Sequence, residues 1–554
     1  MQLSRKTQTT TPYKKVAIDK AEQLNSIGIS LSSEKDGKRL LEKIIIGAQS
    51  ITHSDGGTLY LMDGEKHLRF EIMRTTSLGI AYGGTTGKPV PLQPIEIEDE
   101  KGNKNLKTIA AYSVITGHTV NILDAYKEEG FDFSGTKAYD KKTGYRSKSF
   151  LTIPMKNHEN EIIGVLQLIN ALDEETSRLT TFSYADQRLA ESLASQAAVA
   201  LTNQSLIEEL RNLLERFIEV IATAIDAKSP YTGGHCRRVP EIATAIAHAI
   251  NNTNTGVLAD KTLSDIELYE LKIASLLHDC GKITTPVHVV DKATKLETIF
   301  DRIELIKARF DIMKKNAKIH LLETKLASSS TSATATNHKL TNTDQEYETL
   351  INKLDSDLEF LSKANIGSEF MTEEDKQRVL NIGKFTHKNL LKHSDKLLTE
   401  NEIYNLCVPR GTLTFEERKI INDHIVMTQK MLHSLPFPKH LKNVPEIAGG
   451  HHERMDGKGY PNGLTGDQMS IQTRLMCIAD IFEALTAADR PYKKAMSLSV
   501  ALTILGKMKL DKHIDPDLFD IFVREKVYLS YAKKFLHADQ IDDIDLNNIP
   551  GYSP

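Results

Sequence analysis

The chain has 554 residues, 40% of them apolar and 26% charged, with a formal net charge of −4. That length exceeds what a single hydrophobic core supports, so two or three globular domains are expected. The slight negative balance excludes broad electrostatic capture of nucleic acid and leaves room only for a local basic pocket, and no DNA-recognition motif is present. Cys236, Cys280, Cys407 and Cys477 show no paired spacing, which fits a reducing compartment such as the cytoplasm. No apolar run is long enough to cross a bilayer.

Residues 1–19 are basic but lack the apolar core of a signal peptide, and a disordered tail is expected there. From 20 to 53, Leu24, Ile27, Leu31, Leu40, Leu41, Ile44 and Ile45 recur at near-helical spacing. After the turn at Asp55-Gly56-Gly57, residues 58–62 and 68–72 have strand character. Residues 150–155 and 162–169 form a hairpin around the turn at 156–160. Helices flanking an antiparallel sheet predict an α+β module over residues 20–203.

The stretch from Asp140 through Gly144-Tyr145-Arg146 to Leu151, leading into that hairpin, resembles a GAF domain of the cyclic-nucleotide phosphodiesterase and cyclase type. Members that bind cyclic nucleotide carry an Asn-Lys pair, a Phe and an Asp-Glu pair. Asn170, Phe182 and Asp186 match this pattern, whereas Ala171 and Gln187 replace the Lys and the Glu. The resemblance therefore implies the fold, with an unknown small ligand or a dimerising role in place of cyclic-nucleotide binding.

Residues 204–226 form a connector. Leu206, Leu210, Leu213, Phe217 and Val220 follow one another at spacings of 4, 3, 4 and 3. That seam suits a parallel two-stranded helix and hence a homodimer, or packing of the helix on its own domain. Beyond it the chain is almost entirely helical. Between 298 and 410 an insertion carries two further stripes, Ile299, Ile303, Ile306, Phe310, Met313 and Tyr347, Ile351, Leu354, Leu358, Leu361. They predict a helical hairpin around the polar loop 327–336, which is too poor in apolar residues to fold alone. Nothing in the insertion has catalytic character; it is expected to bind a protein partner or to pack against the connector, and the Gly459-Tyr460-Pro461 loop is a second candidate surface for a partner.

Three histidine-bearing segments flank the insertion: Gly234-His235, His278-Asp279-Cys280-Gly281-Lys282, and His451-His452 running on to Gly457, Gly459 and Gly463. Imidazole and carboxylate hold borderline divalent metals without thiolate. His278-Asp279 follows an apolar helical run, with Gly281 as a natural stop, so both side chains can turn inward from a helix end. A carboxylate can bridge two cations, which makes Asp279 the candidate bridge, and Lys282 can reach back toward a phosphate. His424 lies on a helix with Ile420, Ile421 and Ile425. Asp480 is embedded in an apolar run, where an unpaired carboxylate is costly; a metal or an arginine such as Arg474 resolves that cost.

The whole pattern resembles the HD-GYP family of HD metal-dependent phosphohydrolases, with His278-Asp279 and Gly281-Lys282 as one half and Gly459-Tyr460-Pro461 as the other. The match covers about 215–297 and 411–525, leaving 526–554 as a C-terminal extension. The resemblance implies His235, His278, Asp279, His424, His451, His452 and Asp480 as ligands of two transition-metal ions, iron or manganese. It implies Arg490, Lys493 and Tyr460 as substrate-binding residues and Asp279 and Lys282 as catalytic ones. Glu483 stands where the family usually has Asp. Tyr231 replaces the Glu of three-metal members, which favours two metals. The implied reaction is hydrolysis of cyclic di-GMP, to the linear dinucleotide or on to GMP, by a hydroxide held between the cations. Lys282, Arg490 and Lys493 would neutralise the phosphoryl oxygens. A phosphodiesterase for another cyclic dinucleotide such as cyclic GMP-AMP, or a catalytically quiet receptor, is the alternative. The complete ligand row argues against the receptor.

Overall fold

A computed structural model describes residues 12–64, 66–99, 101–228, 234–328, 336–367, 370–385, 396–488 and 495–553. The chain divides into two compact units, Met1–Leu213 and Leu214–Pro554.

The first unit opens with helices α1 (Pro12–Ser33) and α2 (Gly37–Thr52). The helical run expected over 20–53 is thus two helices, and α1 begins inside the stretch expected to be a tail. Asp36 breaks the run: its side chain accepts from the Arg39 amide at 2.9 Å and caps α2. Strands β1 (Ser54–Asp63), β2 (His67–Thr75), β3 (Ile80–Gly83), β4 (Ile95–Glu96), β5 (Val120–Ile122), β6 (Phe150–Lys156), β7 (Ile162–Leu172) and β8 (Leu179–Thr180) form one antiparallel sheet. Its main path runs β3-β2-β1-β7-β6-β5. Helices α3 (Ile109–Thr116) and α4 (Ser134–Thr143) lie in the β4–β6 connections, and α5 (Tyr184–Lys228) follows.

Strand alternation gives the sheet two different faces. Leu59, Leu151, Leu166 and Leu168 are buried against Ile44, Ile45 and Ile51 of α2 and Leu193 and Ala197 of α5. Each such side chain contributes roughly 1.5–3 kcal/mol. Tyr60, Phe70, Phe150 and Gln167 turn the other way and line a cavity of about 470 Å³, closed by Phe133 and Tyr145. Tyr60 donates to Gln167 at 3.0 Å. Asn170 does not line this cavity: its amide accepts from Lys148 N–H and donates to the Arg146 carbonyl, pinning the loop before β6.

The second unit is all helix: α6 (His235–Asn252), α7 (Asp265–Leu277), a 3-10 turn at Cys280–Thr284, and α8 (Val287–Val290). The insertion follows as α9 (Ile303–Ser328), α10 (Thr336–Ile366), α11 (Glu373–Gly383) and α12 (Glu400–Leu406). Next come α13 (Phe415–His433), α14 (Val444–Gly449), α15 (Ile471–Thr486), α16 (Leu498–Leu510), α17 (Pro516–Arg524) and α18 (Val527–Phe535). Ile303, Ile306, Phe310 and Met313 of α9 pack with Leu354 and Leu361 of α10, as their spacing predicts, in a core separate from the main one. Ile299 does not join them; it precedes the helix and is 95% exposed. Most of the polar loop, 329–335, lies outside the described residues. The expected C-terminal extension is no appendage: Val527, Tyr528, Tyr531 and Ile549 are buried in the main core with α6 and α15. Among the described residues no helix is long and apolar enough to cross a membrane.

Candidate metal centre

Three helix ends and two helix interiors deliver six of the expected ligands, and Asp279 follows His278 at the head of the 3-10 turn. His235 is the first residue of α6, and His278 caps the C-terminus of α7, whose start is fixed by a Ser264–Glu267 capping box. His451 and His452 follow the end of α14, while His424 and Asp480 project from the middle of α13 and α15. Gly281 lets α13 approach. A Cβ there would stand 1.9 Å from the His424 carbonyl oxygen and 2.6 Å from Thr428 N. In its absence the Gly281 amide donates to Thr428 Oγ1 at 2.9 Å, and Thr428 Oγ1 donates to the His278 carbonyl at 3.1 Å.

These residues converge into two donor groups sharing one carboxylate. His235 Nε2 lies 3.1 Å from His278 Nε2 and 3.3 Å from both Asp279 Oδ2 and Asp480 Oδ1. His278 Nε2 is 3.4 Å from Asp279 Oδ2. On the other side, His424 Nε2 lies 3.2 Å from Asp279 Oδ1 and groups with His451 and His452. Asp279 therefore offers one oxygen to each group. Metal–donor bonds of about 2.1 Å place neighbouring donors about 3.0–3.4 Å apart in octahedral or tetrahedral shells, which matches these separations.

The ring orientations are imposed from behind. The Nδ1–H of His278 donates to the Ser275 carbonyl at 2.7 Å, that of His451 to Ala448 at 2.6 Å, and that of His424 to Ile421. Each acceptor is three residues upstream, so the local helical backbone fixes the tautomer and aims Nε2 inward. His235 uses Glu483 instead, and Arg238 Nε donates to the other Glu483 oxygen at 2.6 Å.

Charge distinguishes the two groups. Burial disfavours protonation of His235, but Glu483, Asp279 and Asp480 outweigh it and hold the imidazole well above its ordinary range. His278, equally buried, is pushed up to about 9 by Asp279 and Asp480. In the second group burial prevails: His451 lies well below its usual range, with His452 and His278 adding to the effect, and His452 falls to about 4. Carboxylates thus demand positive charge on one side, and His451 and His452 are held neutral on the other, with lone pairs to offer. Asp279 Oδ1, His424 Nε2 and His451 Nε2 are buried without hydrogen-bond partners, and a divalent ion would satisfy all three. The residues fit a pair of metal ions. Thiolates do not take part: burial raises the Cys236 and Cys477 thiols, and Cys280 to about 11.

Of the residues implied by the resemblance, all seven expected as metal ligands gather here. Lys282 Nζ donates to Asp279 Oδ2 at 2.6 Å. Tyr460 stacks on His452, with ring centroids 4.8 Å apart and planes at 24°. Its loop is held by Glu453, which accepts from the Asn462 and Leu464 amides at 2.7 and 2.9 Å. Arg490, Lys493 and Tyr231 lie outside the described residues. Arg474 is not the partner of Asp480; it pairs with Asp515 at 2.5 Å. Sequence reasoning missed the supporting roles of Arg238 and Glu453 and treated Glu483 only as a departure. The one available signal was a second carboxylate three residues after Asp480 on an apolar helix.

The fold and site define a GAF domain joined to an HD domain. The GAF domain family matches residues 36–201, and the HD domain family matches residues 232–357 and again 390–518. The chain therefore joins an N-terminal GAF domain to an HD domain of HD-GYP-like character, and it is related to known cyclic-nucleotide phosphodiesterases. Over 110 residues it is 42% identical to the 3'3'-cGAMP-specific phosphodiesterase 3 of Vibrio cholerae serotype O1, a match covering 20% of this chain and 23% of that protein. Over 137 residues it is 34% identical to a probable cyclic di-GMP phosphodiesterase of the same organism, covering 24% and 31% respectively. The chain thus spans less than a third of the length of these relatives. Among solved structures, the GAF domain of an Acinetobacter phosphoenolpyruvate-protein phosphotransferase matches 34% of this chain and 98% of its own, at 15% identity and a TM-score of 0.26.

Proposed function

We propose that the chain is a metal-dependent phosphodiesterase that opens a guanine-containing cyclic dinucleotide. The observation carrying this reading is Asp279, whose two oxygens face separate buried donor groups while Lys282 stands beside it. Two divalent ions held there would supply Lewis acidity toward water and the phosphoryl oxygens. The donor set, imidazole and carboxylate without thiolate, suits iron or manganese. Lys282 is placed to leave Asp279 for a phosphoryl oxygen as negative charge builds in the transition state. The stacked pair of His452 and Tyr460 forms a flat wall on which a ribose or base can rest. Arg490 and Lys493 are proposed to complete the phosphate grip.

The relatives' names support both 3'3'-cGAMP and cyclic di-GMP as substrates, and the higher-identity match belongs to the former. Metal analysis of the purified chain, combined with turnover of a cyclic-dinucleotide panel, tests the proposal. Two metals per chain and linearisation of either compound are expected; a metal-loaded chain that turns over none of them refutes it. The exposed seam Leu210, Leu213, Phe217 and Val220 on α5 supports a homodimer, and the half-exposed Ile312 and Ile319 on the outer face of α9 support partner docking at the insertion. The cavity of the first unit is proposed to hold a small regulatory ligand.

A further inference from the structure

The last turn of α5 grips two helix ends that carry the metal centre. Helix α6 begins at Gly234 without a side-chain cap of its own. Asp226 supplies one from outside: Oδ2 accepts the Gly234 amide at 3.0 Å and Oδ1 accepts the Cys236 amide at 3.3 Å. A carboxylate there meets both the unpaired N–H groups and the positive pole of the helix. Two residues on, Lys228 Nζ donates to the carbonyls of Lys282 at 2.9 Å, Thr285 at 2.6 Å and Ile283. These carbonyls close the 3-10 turn Cys280–Thr284, so the ammonium sits at its negative pole.

What these two ends carry gives the arrangement its meaning. His235 is the first residue of α6, bracketed by the two amides that Asp226 holds. Lys282 lies in the turn that Lys228 holds and bonds Asp279, the shared carboxylate. On the same segment of α5, Ile218, Ala222 and Ile225 are buried in the core, so the seat of this turn depends on how α5 packs. Opposite charges two residues apart thereby join one helix to both edges of the centre.

We propose that Asp226 and Lys228 are positioning residues through which the setting of α5 governs the placement of His235 and Lys282. Displacement of this turn loosens the metal-binding group of His235 and shifts Lys282 relative to Asp279. The consequence for turnover rests on the phosphodiesterase reading; the consequence for metal binding does not.

The test uses the full-length chain, stripped of metal and reloaded with Mn²⁺, with bound metal measured alongside thermal unfolding. Asp226→Asn, which keeps the shape and removes the charge, is expected to weaken binding of one of the two ions about tenfold, as loss of an outer support typically does. Asp226→Glu, which keeps the acceptor, is expected to stay close to wild type. Lys228→Met is expected to lower kcat more than it changes KM. Ile218→Ala, about two turns before Asp226 on α5, should weaken the same ion severalfold and add little in combination with Asp226→Asn. Unchanged Mn²⁺ binding in folded Asp226→Asn and Ile218→Ala overturns the proposal. Two-metal binding that responds as described, with no cyclic dinucleotide hydrolysed, leaves it standing and refutes the proposed activity instead.

Discussion

His235 donates its Nδ1–H to Glu483 across 248 residues of sequence, and through that bond the first ligand of α6 is oriented by α15. The same carboxylate holds Arg238 at 2.6 Å, so it is fixed on both oxygens and cannot follow a wandering imidazole. Glu483→Gln removes the charge that favours His235 as a donor at Nδ1. It is expected to weaken metal binding or activity about 10–100-fold while leaving the fold intact. Titration of the metal-free variant with Mn²⁺, followed by calorimetry, checks this.

Asp279 differs in kind, because each of its oxygens faces its own donor group. Asp279→Asn removes the negative charge and one of the two donor oxygens, and also frees Lys282. Bound metal is expected to fall from two ions to at most one. Turnover should drop by about 10³-fold or more, since a bridging site contributes several kcal/mol to transition-state stabilisation. Elemental analysis beside a rate measurement separates the two effects.

The residues that gather at the centre were legible chiefly through the resemblance to the HD-GYP pattern, with His278-Asp279 and Asp480 also standing out against the apolar helical runs beside them. Spacing likewise exposed α9 and α10, since a helix buried on one face must repeat its apolar residues on that face. The same reasoning overran at Ile299, which keeps the period but precedes the helix. The supports were not legible. The carbonyls of Ser275, Ile421 and Ala448 belong to the backbone, and any residue type could supply them. The partnership of Arg474 with Asp515, not Asp480, depends on how α15 meets α17 and leaves no local trace. Residues 527–549 escaped notice as core because their helices are too short to establish a period.

Gly281 shows a residue noticed for an incomplete reason. Its place after a helix suggests a stop signal, yet the structure requires it for the contact with α13, where no Cβ fits beside the His424 carbonyl. Gly281→Ala must push α13 away and carry His424 with it. Overpacking of this kind costs about 1–3 kcal/mol. Thermal unfolding of the metal-free protein should show that loss. Metal should restore less stability than in wild type, because His424 no longer meets Asp279.

The connector presents its two faces to different surroundings. Ile218, Ala222 and Ile225 are buried in the second unit, whereas Leu213, Phe217 and Val220 are 65%, 61% and 64% exposed. A helix held on one face and left apolar on the other is suited to a second copy of itself, because the 4-3 spacing keeps the free seam in line over several turns. Leu213→Glu combined with Phe217→Glu places four like charges in such a seam without touching the buried face. Sedimentation is expected to show a dimer for the wild-type chain and a monomer for this variant, with bound metal unchanged. A wild-type chain that sediments as a monomer at micromolar concentration would show that the exposed seam does not serve self-association.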